Sequence, residues 1–205
     1  MRTGAWSWLL TLAACLGALG GCYGPPPALG PHDPPQLTAI QDAFSAAVRR
    51  ARAADDASWR SGWHGNMMVN VVGGPNRGLC WQWQQMVYEG VVETVGRLGW
   101  DATGVALDAG TANEHHAVLV WDPKRLERSK LLTTPRPRPV WVLDGWRRGE
   151  PDLWPLDAWI DSTVPFPSRI ELEKLWVRSR PAPVSPLADG PAEPSAGSAA
   201  PLTPR

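Results

Sequence analysis

The feature that most constrains this chain is one helix-period run followed closely by three strand-like runs. Trp83, Met86, Val87, Gly90, Val91, Thr94, Val95 and Leu98 recur at helical spacing, and Gly99 suits the end of a helix over 80–98. Ala102–Leu107, His116–Trp121 and Val140–Asp144 then read as strands. Short connections favour antiparallel pairing against the helix, so an α+β architecture is expected, with a core helix on a small antiparallel sheet.

Further elements surround this unit. Leu37, Ile40, Phe44, Ala47, Val48 and Ala51 predict an amphipathic helix over 37–54. Residues 58–79 are irregular and glycine-rich, with a short strand or lining segment at Met67–Val72. His64 lies there, and nothing ties it to chemistry. The basic, proline-rich stretch Asp122–Pro139 must be a loop. Arg169–Val177 is read as a further strand or short helix.

The ends of the chain are of a different kind. Arg2, an apolar run from Trp6 to Leu19 and then Leu19-Gly20-Gly21-Cys22 resemble a bacterial lipoprotein leader, residues 1–21, with lipid added at Cys22. A diacylglycerol and an N-terminal acyl chain supply enough buried CH₂ groups for stable anchoring. A plain signal peptide cleaved elsewhere is the alternative. Residues 22–36 read as a proline-rich tether and 181–205 as a disordered Pro/Ala-rich tail. One domain is thus expected over residues 37–180. Tyr23, with no Asp after Cys22, favours the periplasmic side of the outer membrane in a diderm host.

Export makes the cysteines informative. Of three, Cys15 leaves with the leader and Cys22 is lipidated, so Cys80 is the unexplained thiol. It is an inert core thiol, a site of intermolecular pairing, or a nucleophile. Cys80 opens the predicted helix, where the positive end of the helix dipole favours thiolate and unpaired N–H groups can hold an oxyanion. Gly78 permits close approach of a substrate to the backbone. His116 and Asp144 lie on the second and third strands, at spacings of 116 − 80 = 36 and 144 − 116 = 28 residues, which let helix and strands converge. A nucleophile, a base and an orienting carboxylate make an activated thiol site.

At these residues the chain resembles the transglutaminase-like superfamily, related to papain-type cysteine peptidases. The resemblance rests on Gly78-Leu79-Cys80-Trp81, Arg97-Leu98-Gly99-Trp100-Asp101-Ala102, His116-Ala117-Val118-Leu119-Val120-Trp121 and Trp141-Val142-Leu143-Asp144, in that order, within residues 74–146. It implies Cys80 as nucleophile, His116 as general base and acid, and Asp144 as orienting carboxylate. The chain departs from the pattern in its long loop between His116 and Asp144 and in a second histidine, His115. Adjacent strand residues face opposite ways, so only one of the two can meet Cys80. His116 is chosen because Ala117 and the apolar run follow it, and His115 replaces it if the register slips by one. Asn76 and Gln82 are candidate oxyanion donors.

The implied activity is thiol-dependent acyl transfer on amides, as a peptidase, amidase or transglutaminase, with peptide, protein or peptidoglycan-peptide substrates. Two alternatives stand beside it: a non-catalytic binding lipoprotein that keeps the fold as a scaffold, and a structural envelope tether. Thirteen Trp suit a recognition surface or simple packing. A formal net charge of zero without a basic patch gives no sign of nucleic acid. No cofactor is expected. No metal is expected either, because Cys80, His115 and His116 form a poor ligand set when adjacent histidines diverge.

Overall fold

The computed structural model describes residues 24–53, 59–67, 78–133, 140–163 and 166–176. The leader with Cys22, the glycine-rich stretch including Asn76, and the tail lie outside the described residues. Among the described residues no helix is long and apolar enough to cross a membrane.

Residues 24–35 form neither helix nor strand. Helix α1, Gln36–Arg52, follows, and its whole apolar stripe from Leu37 to Ala51 is buried, with arginines closing its last turn. Helix α2 is Gly62–Met67 and ends where the expected strand or lining segment Met67–Val72 begins, and residues 68–72 of that segment lie outside the described residues. Helix α3, Cys80–Arg97, is the core helix. Its entry is held by Gln82, whose Oε1 accepts the backbone N–H groups of Gly78 at 2.8 Å and Leu79 at 3.1 Å. That is the carboxamide half of a capping box. Its exit passes through Gly99 at φ +73°, a left-handed position that glycine adopts without a Cβ penalty. Helices α1 and α3 approach closely at Gly90, where a Cβ would run into Ala47.

Among the described residues five antiparallel strands follow: β1 Asp101–Leu107, β2 His115–Trp121, β3 Val140–Asp144, β4 Asp152–Pro155 and β5 Ile170–Glu173. They form one sheet in the order β4-β3-β2-β1-β5. Helix α4, Leu156–Asp161, leaves β4 directly. The chain is therefore an α+β protein, with the expected strands at the sheet centre and β4 and β5 at its edges.

The pleat sorts side chains into two layers. Val118 and Val120 of β2 and Trp141 and Leu143 of β3 pack with Cys80, Trp83, Val87 and α1. Ala117, Leu119 and Trp121 of β2 and Val140 and Val142 of β3 pack with Leu156, Trp159 and Ile160 on the other face. Covering both faces explains why all of β2 is buried.

The loop after β2 belongs to the second face. Trp121 Nε1–H donates to the Leu126 carbonyl at 3.0 Å, Leu131 is fully buried there, and Arg128 donates to Thr103 at 2.9 Å. Residues 122–133 thus close the face opposite α3 rather than covering Cys80.

Candidate thiol site and its paired carboxylates

Cys80 is the first residue of α3 and is 1% exposed. The backbone before it is pinned: Trp146 Nε1–H donates to the Gly78 carbonyl at 2.8 Å, and Trp83 Nε1–H to that of Arg60 at 2.6 Å. A Cβ on Gly78 would lie 2.8 Å from the Arg60 carbonyl oxygen, so the close approach that Gly78 permits is to Arg60. The thiol donates to the Glu114 carbonyl at 3.8 Å.

The side chains of Cys80, Glu114 and His116 converge. Sγ, a carboxylate oxygen and an imidazole nitrogen lie within 4.8 Å of one another. Glu114 and His116 are two residues apart at the entry to β2, a spacing that puts both on one face. The structure therefore brings Cys80 and His116 together, as the sequence predicts. The thiol makes no hydrogen bond to the imidazole, since it is turned to the Glu114 carbonyl.

The carboxylate on His116 is not Asp144. His116 Nδ1 is 2.9 Å from Glu173 Oε2, on β5. Glu173 is fixed in turn by Gln84, one helical turn after Cys80, whose amide donates to Oε2 at 2.7 Å and to the Ala117 carbonyl at 2.9 Å. His116 and Glu173 meet across β1, where the facing residues Gly104 and Ala106 are small. A Cβ on Gly104 would lie 2.8 Å from Gln84 Nε2 and 2.9 Å from Glu173 Cβ, so glycine makes room for this pair.

Asp144 serves the other histidine. Its Oδ2 pairs with His115 Nε2 at 2.7 Å, Trp159 Nε1 at 2.7 Å and Arg147 Nε at 3.0 Å. Its Oδ1 accepts the Trp146 N–H at 3.0 Å. The expectation that Asp144 orients His116 is corrected by strand parity. Val118 lies opposite Leu143, and both face α3, so Asp144, one residue on, faces away. His115 faces away with it, which also removes His115 as a partner for Cys80 and as a metal ligand beside it. Gln82 is occupied by its capping contacts, and Asn76 lies outside the described residues.

The electrostatics of the two clusters differ. Burial, aided by the charge of Glu114, pushes the Cys80 thiol up to about 12. The helix N–H groups and the backbone N–H of His116 oppose this without overcoming it, so the expected dipole-stabilised thiolate is not the resting form. Burial by itself would lower His116, but the Glu173 hydrogen bond and the charges of Glu173 and Glu114 outweigh it and raise the imidazole. Burial would raise Glu173, and its bonds to His116 and Gln84 hold it below the usual carboxylate range.

In the second cluster burial dominates His115 and lowers it. Burial would raise Asp144, but His115 and Arg147 hold it well below its ordinary value. Arg147 already balances Asp144, so His115 sits neutral and donates Nε2–H. Among the described residues its Nδ1 has no hydrogen-bond partner, which a neutral acceptor tolerates better than a buried N–H⁺ would.

A pH dependence of stability follows. Both groups have depressed folded values, so the unfolded chain binds more protons as the solution is acidified. The His115 contribution is complete above about pH 6.5 and declines below it. The Asp144 contribution is complete above about pH 4 and is lost on further acidification. His116 and Asp152 are raised and act in the opposite sense, stabilising the fold as the pH falls through their folded values. Urea midpoints from pH 8 to pH 4 should therefore fall more, or rise less, below about pH 6.5 in the parent than in His115→Gln. A parent that gains more than the variant on acidification through that range would show His115 to be charged.

Comparisons with family models, with curated proteins and with solved structures find no match for this chain.

Proposed function

We propose that the chain is an envelope-anchored, thiol-dependent acyl-transfer enzyme acting on amide bonds, with Cys80 as nucleophile and His116 as base. The observation that carries this reading is Cys80 at a helix start beside an imidazole whose Nδ1 is held by Glu173 at 2.9 Å. The transglutaminase-like resemblance and the lipobox at Cys22 are part of the same proposal. Glu173 takes the positioning role that the resemblance gave to Asp144.

With Nδ1–H donated to Glu173, His116 Nε2 is the nitrogen left to accept the thiol proton. Because the resting thiol is neutral, proton transfer accompanies attack instead of preceding it. Sulfur bonds to the carbonyl carbon, His116 returns the proton to the departing amine, and a thioester of Cys80 remains. Water or a second amine then attacks the thioester and regenerates the thiol. The N–H groups at the start of α3 suit the oxyanion of both steps. Envelope peptides, peptidoglycan stem peptides included, fit the location.

The depth of Cys80 favours a second reading, a non-catalytic binding lipoprotein that retains the fold. Iodoacetamide labelling of full-length protein at pH 8, with the adduct mapped to Cys80, separates the two. The enzyme reading expects labelling of the native protein, slower than in urea-unfolded protein because the thiol is buried and neutral, and slower again in His116→Ala. Labelling only after unfolding overturns it in favour of the scaffold. For turnover, hydroxylamine with stem-peptide amides should give a hydroxamate that Cys80→Ala abolishes.

A further inference from the structure

We propose that Cys80, Glu114 and His116 form a binding site for a soft divalent cation of the zinc class, which holds the thiol out of acyl transfer while bound. Cation binding itself needs no turnover, whereas its effect on acyl transfer rests on the function proposed above.

Three ligands of different kinds converge within 4.8 Å: a thiol, an imidazole and a carboxylate. A tetrahedral zinc ion with bonds of about 2.0–2.3 Å needs its ligand atoms about 3.3–3.8 Å apart. His116 Nε2 and Glu114 Oε2 are already 3.9 Å apart. With all three atoms within 4.8 Å, the remaining contraction is at most about 1.5 Å. Glu114 can supply it, because its side chain is 34% exposed and precedes the strand rather than lying in it. Parity is what makes the set workable. Residues 114 and 116 share a face, whereas 115 and 116 do not.

The shell behind the ligands suits a cation. A ligating histidine ordinarily donates its other ring N–H to a carboxylate, which fixes the ring and raises its basicity. Glu173 does this for His116 at 2.9 Å, and Gln84 secures Glu173 at 2.7 Å. Glu114 Oε2 is itself steadied by the Gly110 N–H at 3.0 Å. One sulfur, one nitrogen and one oxygen select zinc-like ions over calcium or magnesium, which want oxygen alone. Three protein ligands leave a fourth position for water.

Binding displaces the thiol proton to solvent, forms the sulfur–metal bond and occupies the Nε2 lone pair. His116 Nδ1–H stays on Glu173. A cation so held ties up both the nucleophile and its base.

The test is titration of full-length, chelator-treated protein with Co²⁺ as a spectroscopic stand-in for Zn²⁺. The expected result is a thiolate-to-cobalt charge-transfer band saturating at one equivalent, bleached by Zn²⁺ and lost in Cys80→Ser. Glu114→Gln, at a half-exposed position, should fold normally and weaken Co²⁺ by about tenfold or more, as loss of 1.4 kcal/mol implies. Zn²⁺ should also slow iodoacetamide labelling of Cys80 about tenfold or more in the same proportion. Absence of the band, its survival in Cys80→Ser, or unchanged affinity in Glu114→Gln overturns the proposal. Cys80 labelling in chelated protein reads the enzyme proposal separately, so either can fail alone.

Discussion

Asp144→Ala should lose about 3–5 kcal/mol of stability, enough to leave a domain of ordinary stability largely unfolded. The substitution takes the Asp144 carboxylate from the buried Arg147, and it strips the acceptor from His115 Nε2–H and Trp159 Nε1–H. Removing one partner of a buried pair costs far more than the pair is worth, because the other charge stays desolvated. Arg147 keeps bonds to Ser162 and Thr163, both at 2.5 Å, which soften the loss without neutralising the guanidinium. Asp144→Asn should cost less, since an amide oxygen still accepts. Urea unfolding followed by circular dichroism measures both. The decisive comparison is with thiol chemistry: Asp144→Asn that folds should label Cys80 as the parent does. An Asp144→Asn protein of parental stability with an inert Cys80 would restore Asp144 to the thiol site.

That contrast shows what the sequence could and could not reveal. Helical periodicity over about two turns or more located α1 and α3, and apolar runs of five or six residues located β1, β2 and β3. Strand β4 and helix α4 went unread, since Leu153, Trp154, Leu156, Trp159 and Ile160 are divided by Pro155 into pieces too short to show a period. Cys80 and His116 were legible because one opens a helix and the other nearly opens a strand. The carboxylate was not. Choosing between Asp144 and another acid required the facing of β3 relative to β2, a property of register rather than of spacing. Alternation along Val140–Asp144 would have placed Asp144 with Val140 and Val142, opposite Trp141 and Leu143. Only the packing tells which pair faces α3. Glu173 sits in a four-residue strand, and its cue was elsewhere: Gly104 inside β1 marks a place where something must come close.

His116→Ala should reduce thiol-dependent acyl transfer by about 10²–10⁴, the usual worth of a positioned base. The more informative variant is Glu173→Gln, measured in chelated protein. It keeps a side chain able to bond His116 Nδ1 but removes the negative charge, and a lost 1.4 kcal/mol of orientation and charge stabilisation is about tenfold in rate. A merely structural carboxylate would lower the amount of active protein and nothing else. Glu173 raises His116, so its neutralisation should move the alkaline-rising limb of the rate profile to lower pH. Below its folded value His116 already carries a proton and accepts none from the thiol. Gly104→Val should reproduce the rate loss from a residue outside the reacting group, because its side chain would drive Gln84 Nε2 and Glu173 Cβ from contacts that a Cβ alone would bring to 2.8 and 2.9 Å. Both effects have the same origin. Glu173 lies on the edge strand, and only the gap over Gly104 lets it lean across β1 to His116. A Glu173→Gln profile with an unshifted limb would mean that the base is held by another group and that the Glu173 contact is packing alone.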